Sequence, residues 1–251
     1  MKITIRGLCM IAVLSVMGMY AGANPIDDLN FYTEEFPPYQ YTENGQLKGM
    51  FIDLAEAIFE YTGSSLTRDD ITVVPWARGY NLVQERPNVV LFGMGRTEAR
   101  EDLFQWVGPG IPSRRSLIGP VGSSTSINSL EDVRGEDIVT VREDVAEQLI
   151  RVAGHPLSRI DRANGPDQAV QLLTSNRHGN YWAYNEQVAL YVLQREGLSE
   201  DYEVILSLEE GGYNWFGLHP DSNPAAIELM QEAVDHLRET GVVDEIISRY
   251  Q

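Results

Sequence analysis

The chain is expected to fold as two α/β lobes. Three observations predict this: short strand-like runs alternate with helical patterns, the alternation occurs twice, and a stretch rich in Gly, Pro and Ser over 108–129 separates the two sets. In the first set, 29–33 reads as a strand, and Phe51, Leu54, Ala55, Ile58 and Tyr61 recur at helical spacing until Gly63 offers a C-terminal cap. A strand over 71–74 follows, then a helix over 76–86 that Pro87 stops. Val89, Val90, Leu91 and Phe92 form the unbroken apolar run of a buried parallel strand.

The second set predicts strands at 138–141, near 159–160 and at 181–184, with helices over 144–153, 166–174 and 185–196. Near the end, Ile227, Met230, Val234 and Leu237 form an apolar stripe with Ser222 and Pro224 before it and Gly241 after it, marking a helix. Residues 242–250 make another.

Residues 1–23 read as a secretory signal peptide: Lys2 and Arg6, an apolar stretch from Leu8 to Tyr20, then the small residues Ala21, Gly22 and Ala23 as a cleavage site. An apolar stretch of about 13 residues falls short of the roughly 20 that a spanning helix needs. Cleavage after Ala23 removes Cys9, the single cysteine, so burial rather than disulfides must hold the exported chain.

With 37 acidic and 19 basic residues, the formal net charge is −18. That balance opposes nucleic acid or anionic lipid as a partner, because phosphate binding draws on clustered Lys and Arg. Hydrolase, zinc-protease, dithiol and P-loop motifs are absent, and Gly93-Met94-Gly95 lacks the third glycine of a dinucleotide fingerprint. His155, His178, His219 and His236 are scattered without ligand spacing, so neither a metal nor a cofactor is expected.

One stretch stands out, GMGRTEAREDLFQWVGP over 93–109. In open α/β sheets ligands bind beyond the carboxyl ends of strands, and Phe92-Gly93 reads as such an end. Gly93 and Gly95 let the backbone approach a ligand, and Thr97 can cap a short helix whose free N–H groups favour an anion. Arg100, three residues on, can grip a carboxylate through two parallel hydrogen bonds. Pairing of Arg100 with Glu101, Asp102 or another surface acid is the competing reading.

The segments LNFYTEEFPPYQYTENGQLKGMFIDLAEAIFEYTG (29–63), VVPWARGYNLVQERPNVVLFGMGRTEAREDLFQWVGP (73–109) and HLRETGVVDEIISRYQ (236–251), in this order, resemble the family 3 extracellular solute-binding proteins, which include polar amino-acid receptors of bacterial ABC importers. The resemblance implies a periplasmic-binding-protein-like fold of type II, with a ligand cleft between lobes joined by two hinge strands. It implies a first lobe at 24–111 and 213–251, with the second inserted at 112–212. It also implies that Arg100 binds a ligand carboxylate and that Phe36, in EFPPY, covers the ligand. Trp76 and Arg78, in PWARGY, are expected at the cleft rim. Of Trp182 and Tyr184, on one lobe 2 strand, one is expected to face the cleft.

Three departures from the family's pattern bear on the ligand. Gly95 stands where amino-acid receptors usually carry Ser or Thr. Asn185 stands where they usually carry the Asp that pairs with an α-ammonium. Asp144 caps a lobe 2 helix in place of the family's Gly-Thr, setting a negative charge where a carboxylate would approach.

The resemblance implies a monomeric periplasmic receptor that captures an amino acid or related acid for a membrane permease, without catalysis. Two other readings stand beside it: a sensing module that docks on a membrane signalling protein, and a dehydratase-like enzyme on the same scaffold using Glu35, Asp144 or Glu186 as its acid.

Overall fold

The structure, a computed structural model, describes residues 24–175 and 181–250. The signal-peptide segment, Cys9 and His178 lie outside them.

The chain enters as β1 (Asn30–Thr33), followed by a small hairpin of β2 (Tyr41–Glu43) and β3 (Gln46–Lys48). Helix α1 (Met50–Thr62) buries the apolar stripe read from the sequence, and Gly63 closes it in the left-handed conformation that glycine adopts without steric cost. Then come β4 (Thr72–Val73), α2 (Trp76–Glu85), β5 (Val89–Gly95), a 3-10 turn at Glu98–Leu103 and β6 (Gln105–Val107). The strand expected at 71–74 shortens to two edge residues. The strand expected to end at Phe92 instead runs on to Gly95, because it gains an antiparallel neighbour there.

The crossing segment follows as β7 (Pro112–Ser113), then β8 (Arg115–Pro120), β9 (Ile138–Val141), α3 (Val145–Val152), β10 (Ile160–Ala163), α4 (Pro166–Leu173), β11 (Tyr181–Asn185), α5 (Glu186–Arg195) and β12 (Tyr202–Ser207). The stretch 108–129, read as a connector, thus also contains β8, an interior strand of the second sheet. Finally β13 (Gly212–Leu218) returns to the first sheet, and α6 (Pro224–Glu239) and α7 (Val242–Ser248) pack beneath it. The N-cap of α6 is Asn223, whose side chain accepts from Ala225 N, while Ser222 Oγ accepts from Asn88 N at the start of β5.

The first sheet runs β4-β1-β5-β13-β6, and the second runs β10-β9-β11-β8-β12. Each is mixed: β1 is parallel to β4 and β5 while β13 is antiparallel to β5, and β9 is parallel to β10 and β11 while β8 is antiparallel to β11. Both sheets are covered on both faces. Along β5, Val90 and Phe92 join one apolar cluster while Val89 and Leu91 join another, as a period of two requires; Met94 joins the second because the ladder with β13 is irregular at Gly93, whose φ is +81°. The two crossing segments lie side by side, Ser113 opposite Gly212 and Pro112 opposite Tyr213.

Candidate functional site

Arg100 reaches the seam between the two sheets. Only 1 % of it is exposed. Its guanidinium lies over the Tyr80 ring at 4.9 Å and the Trp76 ring at 5.6 Å, both on α2. Nη1 donates to Gly95 O at 3.1 Å, and Nη2 donates to the carbonyl of Glu143 in the other lobe. The Gln148 amide oxygen, oriented to satisfy its neighbours, accepts from Nη2 at 3.1 Å and Nε at 3.2 Å. Every one of these acceptors is neutral. The competing reading of a surface ion pair is not what the structure shows: Glu101 is taken by Arg96, which also lies over the Trp215 ring at 4.7 Å. Burial pulls the Arg100 guanidinium below its ordinary range.

Gly93 and Gly95 each make room for a side chain. Gly93 has φ +81°, and a Cβ there would stand 2.5 Å from Gln40 Nε2. At Gly95 a Cβ would stand 2.7 Å from Nη2 of Arg115 and 2.5 Å from Val145 Cγ2. The hydroxyl side chain missing at position 95 is therefore replaced by a second guanidinium. Arg115 opens β8, is buried, donates from Nη2 to Asn214 Oδ1 at 2.7 Å and pairs with Glu209 at 3.3 Å.

Phe36 and Tyr184 are both buried and face each other edge-on across the seam. Trp182 stacks on Tyr184 with 12° between ring planes. Residues i and i+2 of a strand share a face, so the expectation that only one of this pair faces the seam side gives way to a stacked pair. Burial, then Glu34 and Asp144, push the Tyr184 phenol well above its ordinary range. Asp144 caps α3 as expected, accepting from Ala146 N at 2.8 Å.

Three expectations change. Thr97 stands at the N-cap position but its hydroxyl makes no capping bond, because the segment after it is a 3-10 turn of six residues rather than an α-helix. Asn185 is spent structurally: its Oδ1 accepts from Val188 N to cap α5, and its Nδ2 donates to Ser113 Oγ on the crossing strand. Arg78 is exposed on α2, pointing away from the buried face that carries Trp76 and Tyr80. Of the acids considered for catalysis, Glu35 is held by Thr42 and Glu186 by Ser116.

Several residues at the seam have no signature in the sequence. Glu34 is buried beside Trp76 in a groove of about 370 Å³ that Val74, Pro166 and Asp167 also line. Desolvation, then Asp144 and Glu35, raise its carboxyl well above the ordinary range. Gln40, Asn214 Nδ2, Arg115 Nε, Trp76 Nε1 and Tyr184 Oη have no hydrogen-bond partner among the described residues. No group of three or more His, Cys, Asp or Glu among the described residues could hold a metal ion.

Among solved structures, the chain is similar to a substrate-binding protein of an ABC uptake transporter from Streptococcus pneumoniae with bound histidine, at 18 % identity and TM-score 0.76 over 90 % of this chain and 94 % of that one. An ancestral arginine-binding protein bound to glutamine aligns at 22 % identity and TM-score 0.74, covering 89 % and 97 %. A histidine kinase sensor domain similar to periplasmic binding proteins aligns at 17 % identity and TM-score 0.73, covering 88 % and 95 %. At these identities the likeness shows the fold. Comparison with curated protein sequences gives no significant match. Residues 30–251 match the profile of one sequence family, and the paired sheets with their adjacent crossing strands agree with it: the chain belongs to the bacterial extracellular solute-binding proteins, family 3.

Proposed function

We propose that this chain is a periplasmic receptor that captures a small carboxylate-bearing molecule between its lobes, 24–111 with 213–251 on one side and 112–212 on the other. The observation that carries this reading is Arg100, buried at the seam and bonded only to neutral acceptors. A guanidinium removed from water with no bonded carboxylate is costly, and an anionic guest offsets that cost while gaining charge-assisted hydrogen bonds. Phe36, Tyr184 and Trp76 supply the apolar walls. Gly93 and Gly95 shape the floor. Asn185 supports the frame.

Closure needs only that the guest bind the closed arrangement better than the open one, so capture proceeds without covalent chemistry. Relatives in fold include importer components and a kinase sensor domain, so a permease is the first partner to test and a membrane sensor the second. Native mass spectrometry of protein purified from its own host, followed by a thermal-shift screen of carboxylic acids and amino acids, tests the reading. A guest at 100 times its dissociation constant adds about 2.7 kcal/mol of stability. Arg100→Ala is expected to abolish the shift, and Arg100→Lys to recover little of it because lysine lacks the planar fork. Unchanged affinity in Arg100→Ala would overturn the assignment.

A further inference from the structure

Two guanidiniums meet at one residue. Arg100 Nη1 donates to the carbonyl of Gly95, and a Cβ at position 95 would stand 2.7 Å from Arg115 Nη2 and 2.5 Å from Val145 Cγ2. Arg115 comes from the opposite side of the crossing strands, so the chain's course through β7 and β8 places it here. Among the described residues its one ionic partner is Glu209, at 3.3 Å and with a side chain 24 % exposed, and no carboxylate is bonded to Arg100. Arg100 and Arg115 are thus two buried guanidiniums whose like charges oppose each other, with Glu209 bonded to the second and Asp144 acting on the first only through space.

The orphaned polar atoms nearby have a common character. Arg115 Nε and Asn214 Nδ2 can only donate, and Trp76 Nε1 likewise. Gln40 offers an NH2 with two donors and a carbonyl acceptor, and the hydroxyls of Tyr184 and Thr97 can each donate. On the acidic side, Asp144 already accepts from the α3 backbone, and Glu34 is buried. Burial and Asp144 favour the protonated, donating form of Glu34. An environment of two guanidiniums and unpartnered donors suits a guest with many acceptors and more than one negative charge.

Resting on the carboxylate-capture reading above, we propose that the cleft selects diacids, with Arg100 and Arg115, brought together at Gly95, gripping two separate carboxylates of one guest. Gly95 is then a specificity residue: a serine there would evict the second guanidinium.

The test is calorimetric titration of the full exported chain with glutarate, L-glutamate, L-glutamine and butyrate at one pH and ionic strength. Glutarate should bind at least about tenfold tighter than butyrate, and L-glutamate at least about tenfold tighter than L-glutamine, since each pair differs in a charged hydrogen-bonding group. Arg115→Gln and Gly95→Ser should each shrink both ratios to about threefold or less. The second variant keeps Arg115 in the chain, so the result does not depend on one substitution folding. Equal affinities within the pairs in the wild-type chain, or ratios that survive both substitutions, would overturn diacid selection while leaving carboxylate capture intact. If no acid binds and Arg100→Ala changes nothing, both readings fall together.

Discussion

Phe36 of the first lobe stands edge-on to Tyr184 of the second, with ring centroids 5.7 Å apart and planes at 88°. Neither ring is free to drift: Phe36 packs on Tyr39 at 5.2 Å, and Tyr184 is stacked on Trp182. On the capture function proposed above, opening the lobes breaks this contact, so its energy belongs to the closed state. A double-mutant cycle of Phe36→Ala and Tyr184→Ala, read on the dissociation constant of a captured acid, should give a coupling of about 1 kcal/mol. Strict additivity would show that the pair plays no part in closure.

Asn185 holds the crossing strand to the start of α5. Asn185→Ala removes an N-cap, costing about 1 kcal/mol, and a buried side-chain bond to Ser113 of similar worth. Urea unfolding should register a loss of about 2 kcal/mol, with the order of preference among bound acids unchanged. A reordered preference at intact stability would return Asn185 to the cleft.

The raised Glu34 carboxyl makes stability depend on pH in a definite direction. A group that holds its proton more tightly folded than unfolded stabilises fully below its unfolded value, and that contribution is lost as pH rises through the folded value. Desolvation is the main cause, with Asp144 and Glu35 adding repulsion. The ligand-free chain should therefore lose stability from this site as pH climbs out of the ordinary carboxylate range, and Glu34→Gln should be free of that loss. Melting temperatures of both proteins at pH 5 and pH 8 check this: the difference between them must move in favour of Glu34→Gln at the higher pH.

Gly93 combines a left-handed backbone with a neighbour in contact, whereas Gly122, at φ +92°, has nothing within 4 Å of an added Cβ. Gly122→Ala should cost about 1–2 kcal/mol from backbone strain alone. Gly93→Ala should cost that and a further 1 kcal/mol or so from the clash with Gln40, measured by chemical unfolding. Equal losses would mean that Gln40 moves aside freely.

Much of the scaffold was legible from local signals. The run Val89 to Phe92 announced a strand buried on both faces, Gly63 and Asp144 marked helix ends, and Arg100 could be singled out because it follows a strand in a glycine-rich turn. These are properties of neighbours in the chain, within a helical turn or a strand's period of two, where sequence spacing and spatial spacing coincide. The resemblance to solute-binding proteins extended that reading to two lobes and a cleft.

Which side chains meet in the cleft was settled only by strand order and by the seating of one lobe on the other. Arg115, Gln40, Glu34 and Asn214 carry no local mark, yet they surround Gly93, Gly95 and Arg100 because β5 pairs with β13 and β8 begins just beyond the crossing strand. Asn185 matched a ligand-binding position, but Ser113, 72 residues away in sequence, and the open end of α5 claimed its amide. Arg78 matched a rim motif, but the helical phase of α2 turned it to solvent while Trp76 and Tyr80 took the buried face. Hydrogen bonds of this kind depend on ångström-scale juxtaposition of distant segments, which spacing along the chain does not encode and the packed sheets do.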